Sequence, residues 1–371
     1  MTAPSPTPAD VRIGFVGCGR ATTTLHLPAL RRMSGGRVVA FSDPDPTRLA
    51  AAAAMCPGAA AYENYRALIE DRQVDLVAVC VPVSMHLEIA AAALAARKHV
   101  FIEKPLSLDL AECDRFIELA RVAESTGIRS VVGFNLRSHR LLRQAKAIVD
   151  SGAVGEIELL RTLMTADWTG AVRPAWHAHR AHGGGALIEI GTHQVDLWRW
   201  LLGSEVESVD AAARSTEFDD QTAAFQARMT NGALVSSAVS QRSASHNLVE
   251  LFGSRGTIRL SCYHADSLEV TIVGSRSSGA WRRLRPMLIK AGRIPAVLRA
   301  ARGGGDVQMS YTHEWQRVLD ALPTGGAMPA TVEDGRQAAA IILAALRSSE
   351  ERRPVAPHPM RTAMPLEARA G

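Results

Sequence analysis

The sequence predicts an α/β fold, with an N-terminal doubly wound parallel sheet and a C-terminal α/β domain built on a large, mostly antiparallel open sheet. Three observations carry this reading. Residues 11–19, Val-Arg-Ile-Gly-Phe-Val-Gly-Cys-Gly, run an apolar strand into a glycine turn. The first third of the chain alternates short apolar runs with helical segments, the pattern of a parallel sheet wrapped by helices. Beyond residue 151 half-buried strand patterns follow one another, and Asn231-Gly232 between two of them is a hairpin turn, since both residues tolerate positive φ.

In chain order, strands are expected at Val11–Val16, Val38–Ser42, Leu76–Cys80, His99–Ile102 and Ser130–Phe134, with helices at Pro46–Ala54, Leu87–Ala96 and Asp109–Ser125. Asp109 caps its helix, and Glu112 three residues later completes a capping box. A helix near Leu141–Ser151 leads into strands at Leu159–Thr165, Val206–Ala213, Thr222–Met229, Ala233–Ser240, Leu248–Phe252, Thr257–Leu260 and Leu268–Val273. Helices at Tyr311–Leu322 and Val332–Ser349 finish the fold. The resulting division is two domains, 11–135 and 136–355, between disordered tails at 1–10 and 356–371.

Composition agrees with two ordinary domains. The chain has 371 residues, 47% hydrophobic and 21% charged, enough to bury a sizeable core. It has no run approaching the ~18 apolar residues that span a bilayer. Its start, Met-Thr-Ala-Pro-Ser-Pro-Thr-Pro-Ala-Asp, lacks the basic and apolar regions of a signal peptide. Cys18, Cys56, Cys80, Cys113 and Cys262 are scattered without paired spacing, which argues against a disulfide framework or a thiolate metal site. The expectation is a cytoplasmic protein with neither membrane nor metal.

The net charge of +5 is concentrated. Between Val270 and Gly305 there is no acidic residue, while Arg276, Arg282, Arg283, Arg285, Lys290, Arg293, Arg299 and Arg302 are all basic. Only Trp281 interleaves them, so a nucleic-acid partner is not expected. Two readings stay open for this stretch. It contacts a phosphate-bearing substrate through arginine forks, or it is a solvated segment or short amphipathic helix (Pro286–Arg302) facing a partner subunit. Lysine is scarce: Lys98, Lys104, Lys146 and Lys290 are the whole complement, and two of them fall within Lys98–Pro105.

Gly17 and Gly19, with Arg20 next in line, sit where the first strand meets the first helix. Glycine there allows a tight turn and lets backbone N–H groups approach a pyrophosphate. Thr22 stands at the third position of the fingerprint, where Gly or Ala is usual. Asp43 ends the next strand, placed to hold ribose hydroxyls and repel a 2′-phosphate. NAD is thus favoured over NADP, although Ser42 and Arg48 leave room for a phosphate.

Several ordered motifs resemble the Gfo/Idh/MocA oxidoreductases, from Val11 to about Pro354. Gly17-Cys-Gly19 is followed by His26-Leu-Pro-Ala-Leu30; Val79-Cys-Val-Pro82 precedes His86, with Val81 in place of a threonine. Glu103-Lys104-Pro105 is the signature tripeptide, and Gly183–Asp196 resembles the second-domain helix, with Glu189 where most members carry Asp. The resemblance implies an N-terminal Rossmann domain with cofactor contacts from Gly17, Gly19, Arg20, Asp43, Val81, Pro82, His86, Glu103, Lys104 and Asn135. It also implies a C-terminal substrate-binding and oligomerising domain, in a homodimer or homotetramer. Carried over by motif, Lys104 polarises or protonates a carbonyl oxygen, His193 is its acid/base partner, and Glu189 orients a substrate hydroxyl. Arg137, Trp176 and His177 are further substrate residues.

The residues support that chemistry independently. Hydride transfer leaves charge on an oxygen, so a cation or proton donor is needed there. Glu189, His193 and Asp196 fall at i, i+4 and i+7, one face of an α-helix. Competing readings are a Lys104 paired with Glu103, and a buried His193 satisfied by Asp196. His177, His179 and His182 have a metal-like spacing but no completing ligand. The expected activity is an NAD(P)-dependent interconversion of secondary alcohol and ketone on a sugar, cyclitol or nucleotide-linked sugar. Redox-neutral elimination, epimerisation or glycoside hydrolysis on the same scaffold, and NAD(P)H sensing without turnover, stay open.

Overall fold

The computed structural model describes residues 10–168, 175–264, 266–273 and 304–360. Compactness divides the chain into two units. The first combines the chain up to Gly133 with Glu314–Gln337 and the residues from Pro359; the second combines Phe134–His313 with Ala338–His358. The division is thus not contiguous, unlike the 11–135 and 136–355 expected from the sequence. The first unit takes back a late segment because that segment completes its core: a Cβ on Gly36 would lie 2.7 Å from Leu319, and one on Gly335 would lie 2.9 Å from Leu106.

The first unit holds a six-stranded sheet in the order β3-β2-β1-β4-β5-β6, from β1 (Val11–Val16), β2 (Gly36–Ser42), β3 (Ala60–Tyr62), β4 (Leu76–Val79), β5 (His99–Glu103) and β6 (Ser130–Gly133). All its pairings are parallel. Strands covered on both faces read as continuous apolar runs, and all four residues of β4 are buried. A π-helical turn (Ala21–His26) running into α1 (Leu27–Leu30), then α2 (Pro46–Met55), α3 (Tyr65–Glu70), α4 (His86–Ala95) and α5 (Leu110–Glu124) form the connections. Asp45 caps α2 by accepting from the N–H groups of Thr47 and Arg48. Asp109 caps α5 as expected, but the box closes through a third residue. The Asp109 N–H donates to the Ser107 hydroxyl, which donates to Glu112 at 2.7 Å.

In the second unit, α6 (Arg140–Asp150) precedes β7 (Ile157–Asp167), and α7 (Thr192–Leu202) precedes β8 (Val206–Arg214). Next come β9 (Thr222–Met229), β10 (Leu234–Ser240), β11 (Arg242–Gly253), β12 (Gly256–Leu260) and β13 (Glu269–Ile272). Among the described residues these strands form a seven-stranded sheet ordered β13-β12-β11-β7-β10-β9-β8. Every pairing is antiparallel except β7 with β10. In β9, alternate residues are buried, so one face is covered; there Phe225 meets Trp198 of α7 at 5.1 Å between ring centres. Asn231-Gly232 makes the β9–β10 turn, with Gly232 at φ +92°. The last helices are α8 (Asp306–Thr324) and α9 (Val332–Glu351).

Beyond α9 the chain is held further than expected. Val355 pairs with Val209 in the second unit, and the Pro359 carbonyl accepts from Arg336 in the first. The basic stretch from Arg276 to Arg302, including the expected Pro286–Arg302 helix, lies outside the described residues, as do residues 1–9 and 361–371. Among the described residues no helix is long and apolar enough to cross a membrane.

Candidate active site

The order β3-β2-β1-β4-β5-β6 reverses direction between β1 and β4, where doubly wound sheets open a crevice at their carboxyl ends. Gly17 and Cys80 lie at that point. Gly17 has φ +92°, and a Cβ there would stand 2.3 Å from the Cys80 carbonyl, so only glycine fits. At Gly19 the reverse holds: a Cβ would meet no heavy atom within 4 Å, so nothing stands over this part of the turn. Thr22 fills the third fingerprint position by bonding rather than by smallness, its hydroxyl donating to the Gly17 carbonyl at 2.6 Å. Arg20 is exposed at the start of the helical segment.

Asp43, buried at the end of β2, accepts the Cys18 N–H at 2.9 Å and thereby ties the turn to the next strand. Burial raises its pKa, yet hydrogen bonds from Arg48, Cys18 and Asp45 outweigh this and hold the carboxyl below its ordinary range. Arg48, the residue that left room for a phosphate, is paired with both Asp43 and Asp45. The tight turn, the open space over Gly19 and the buried carboxylate fit a dinucleotide with unmodified ribose hydroxyls.

The Val81–Pro82 turn and Glu103-Lys104-Pro105 follow β4 and β5. His86 joins them: its buried ring lies 2.9 Å from both the Val81 and the Pro105 carbonyl oxygens. Burial lowers its pKa, and a neutral ring donates to one of these carbonyls. Glu103 is held from two sides. Its Oε1 lies 2.8 Å from His26 Nε2, and its Oε2 accepts the Lys104 backbone N–H at 3.0 Å. Lys104 itself is half-buried. Lys98 has a structural task, donating to the Asp71 and Val74 carbonyls, and burial lowers its pKa.

In the second unit, Glu189 lies in a π-helical turn (Leu187–Gly191) that runs into α7. The α-helical step expected to set Glu189, His193 and Asp196 on one stripe does not hold through that turn. Glu189 pairs with Nδ1 of His177 and accepts from Gln241 Nε2 at 2.6 Å. His193 is half-buried in the first turn of α7. Asp196, one turn later, pairs with Arg137, whose Nη2 lies 2.6 Å from Oδ1. Asn135 donates to Ser310 at 2.7 Å. Trp176 stacks on His177 at 3.6 Å between ring centres. His179 and His182 face one another edge-on, and among the described residues no group of three or more His, Cys, Asp or Glu is placed to hold a metal ion.

Trp315 bonds His26 and Gln241 bonds Glu189, yet none of His26, Trp315 and Gln241 signals its contact in the sequence. His26 lies in an apolar segment, Trp315 is almost 300 residues away from it, and Gln241 sits in a strand-to-strand connection without a recognisable pattern.

Residues 11–132 match the NAD-binding Rossmann fold of an oxidoreductase family, and residues 142–259 match the GFO/IDH/MocA C-terminal domain. Myo-inositol 2-dehydrogenase of Thermotoga maritima is 31% identical over 355 residues, covering 93% of this chain and 98% of that protein. The chain belongs to the Gfo/Idh/MocA oxidoreductases. Another relative, inositol 2-dehydrogenase 2 of Saccharopolyspora erythraea, is 29% identical over 91% of this chain and 93% of its own. The fold is shared with scyllo-inositol dehydrogenase of Lactobacillus casei, solved with NAD(H) and scyllo-inositol: TM-score 0.76, 21% identity, covering 94% of this chain and 99% of that one. As a Gfo/Idh/MocA member, the chain is an NAD-binding oxidoreductase, and its turn at the β1/β4 crevice is the part of the first unit suited to the cofactor.

Proposed function

We propose that this enzyme interconverts a secondary alcohol and a ketone on a cyclitol or sugar, with Lys104 and His193 as the proton-transfer groups. The observation that carries the reading is Lys104 itself, an ionisable group at the end of β5 whose backbone N–H is fixed by Glu103. The relatives named as inositol dehydrogenases supply the substrate class. Bound NAD would supply the hydride acceptor for the carbinol carbon. In that direction the hydroxyl proton passes to His193, while the Lys104 ammonium stabilises the oxygen that bears developing charge. In reduction the same groups return the proton. Gly17, Gly19, Asp43 and the Val81–Pro82 turn would hold the cofactor. His86 acts through the backbone, fixing that turn against Pro105, and Arg137 and Asp196 fix α7. The reading extends to a cytoplasmic homodimer or homotetramer formed through the exposed face of the seven-stranded sheet, where Gln226, Arg228, Leu234 and Ser236 are exposed; light scattering measures it.

The test is turnover at 340 nm with NAD(H) and NADP(H) across myo-inositol, scyllo-inositol, free sugars and nucleotide sugars. Lys104→Ala and His193→Ala are expected to lose about 100-fold or more in kcat. Wild-type activity in Lys104→Ala would overturn the mechanism. Tight NAD binding with no absorbance change on any substrate would replace it with redox-neutral chemistry.

A further inference from the structure

The Glu189 carboxylate is occupied on both oxygens by its own chain. Oε2 accepts from Gln241 Nε2 at 2.6 Å, and Oε1 pairs with His177 Nδ1. Gln241 is fully buried, and its amide orientation is fixed by this contact, because reversing it would set two oxygens face to face. An ionised carboxylate only accepts, so the imidazole proton of His177 sits on Nδ1 and Nε2 is left as an acceptor. The stacked Trp176 holds the ring plane. The exposure is graded in the same direction: the His177 side chain keeps 19% of its surface open and Glu189 keeps 10%. Asp, one methylene shorter, has less reach toward His177, which gives a physical meaning to Glu at this position.

We infer that His177, rather than Glu189, makes the contact with a substrate hydroxyl: Nε2 accepts a hydrogen bond from an alcohol of a polyhydroxylated substrate, and Glu189 and Gln241 are positioning residues behind it. The arrangement follows the logic of a carboxylate that orients an imidazole by fixing its tautomer. Histidine as acceptor selects substrates that carry a free hydroxyl for Nε2. The inference rests on the polyol-oxidising reading given above.

Two measurements test it. In protein labelled with 15N-histidine at pH 8, His177 is expected as the Nδ1–H tautomer, shifting to a tautomer mixture in Glu189→Gln. A wild-type Nε2–H tautomer would overturn the dyad. In kinetics with myo-inositol, His177→Asn keeps a donor toward Glu189 but has no ring acceptor. It is expected to lose tenfold or more in kcat/KM, mainly through KM, with the NADH dissociation constant within about twofold of wild type. Because the two residues act as one unit, His177→Asn/Glu189→Gln is expected to be no worse than the poorer single variant. Additive losses, or a His177→Asn enzyme near wild type beside a crippled Glu189→Gln, would return the hydroxyl contact to Glu189. A wild-type protein that oxidises no polyol removes the polyol reading and the hydroxyl contact with it, while the NMR result still judges the dyad.

Discussion

Trp315 donates its indole N–H to His26 Nδ1 at 3.0 Å, across 289 residues of sequence. Indole nitrogen is a donor only, so His26 accepts at Nδ1 and carries its proton on Nε2, which donates to Glu103. Both rings are fully buried, and Trp315 also stacks on Phe101 at 4.5 Å between ring centres. Two aromatic side chains thus decide which way an imidazole faces, and through Glu103 where the Lys104 backbone sits.

Trp315→Phe keeps most of the stacking and removes the donor. The buried acceptor left on His26 is expected to cost about 1–3 kcal/mol in denaturant unfolding. Trp315→Ala, which also leaves a cavity, is expected to cost about 3–5 kcal/mol. A Trp315→Phe protein as stable as wild type would show that the hydrogen bond contributes nothing.

Gly17→Ala and Gly19→Ala separate fold from cofactor. The first places a Cβ against the Cys80 carbonyl at a positive φ and is expected to lower the melting temperature and abolish NADH binding. The second meets no protein atom and is expected to leave the melting temperature unchanged while weakening NADH about tenfold or more, measured by calorimetric titration. Undiminished binding in Gly19→Ala would place the pyrophosphate elsewhere.

Arg137 and Asp196 form a buried ion pair, with 8% and 2% of their side chains exposed. Asp196→Ala leaves the guanidinium buried without its partner and is expected to cost about 3–5 kcal/mol. The apolar pair Arg137→Met/Asp196→Leu is expected to recover most of that loss in thermal unfolding. If the double variant is no more stable than Asp196→Ala, the pair is doing something packing cannot replace.

His139 gives stability an acid limb. Burial is the main cause that pushes its pKa down to about 4; Arg140 and His313 act in the same direction, while Asp306 and the backbone carbonyl of Cys262 oppose them. The unfolded chain therefore binds a proton that the folded chain refuses, between about pH 6.5 and pH 4. Stability is full above that window and is expected to fall through it by on the order of 3 kcal/mol, read from urea midpoints. A His139→Phe protein is expected to show a shallower fall; an unchanged slope would assign the limb to other groups, such as His313, whose pKa burial also lowers.

Much of this architecture was legible in the residues. Strands β1 and β9 run between the ends expected for them, because apolar runs and alternation are local signals. Strand β3 was not, since Ala-Ala-Tyr carries no periodicity over three residues. The π-helical turns at Ala21–His26 and Leu187–Gly191 were invisible for a related reason: one added residue per turn is set by what the turn packs on, not by composition. In the candidate site, the residues that the sequence names belong to ordered motifs, where glycine, lysine or carboxylate chemistry is local. Glu189 is named there, but its partner Gln241 is not. His177 was expected among the substrate residues, and its pairing with the Glu189 carboxylate carried no signal in the sequence.

The return of Glu314–Gln337 to the first unit has a consequence for how the protein is made. A ribosome that has released residues 11–133 has delivered every strand of the parallel sheet, yet not the indole that pairs with His26 or the helix that covers Leu106. Vectorial synthesis cannot finish this half first. The nascent sheet must wait for some two hundred further residues with His26 Nδ1 lacking its indole donor and an apolar face uncovered. A fragment cut after Gly133 would reproduce that waiting state rather than a small stable cofactor-binding module.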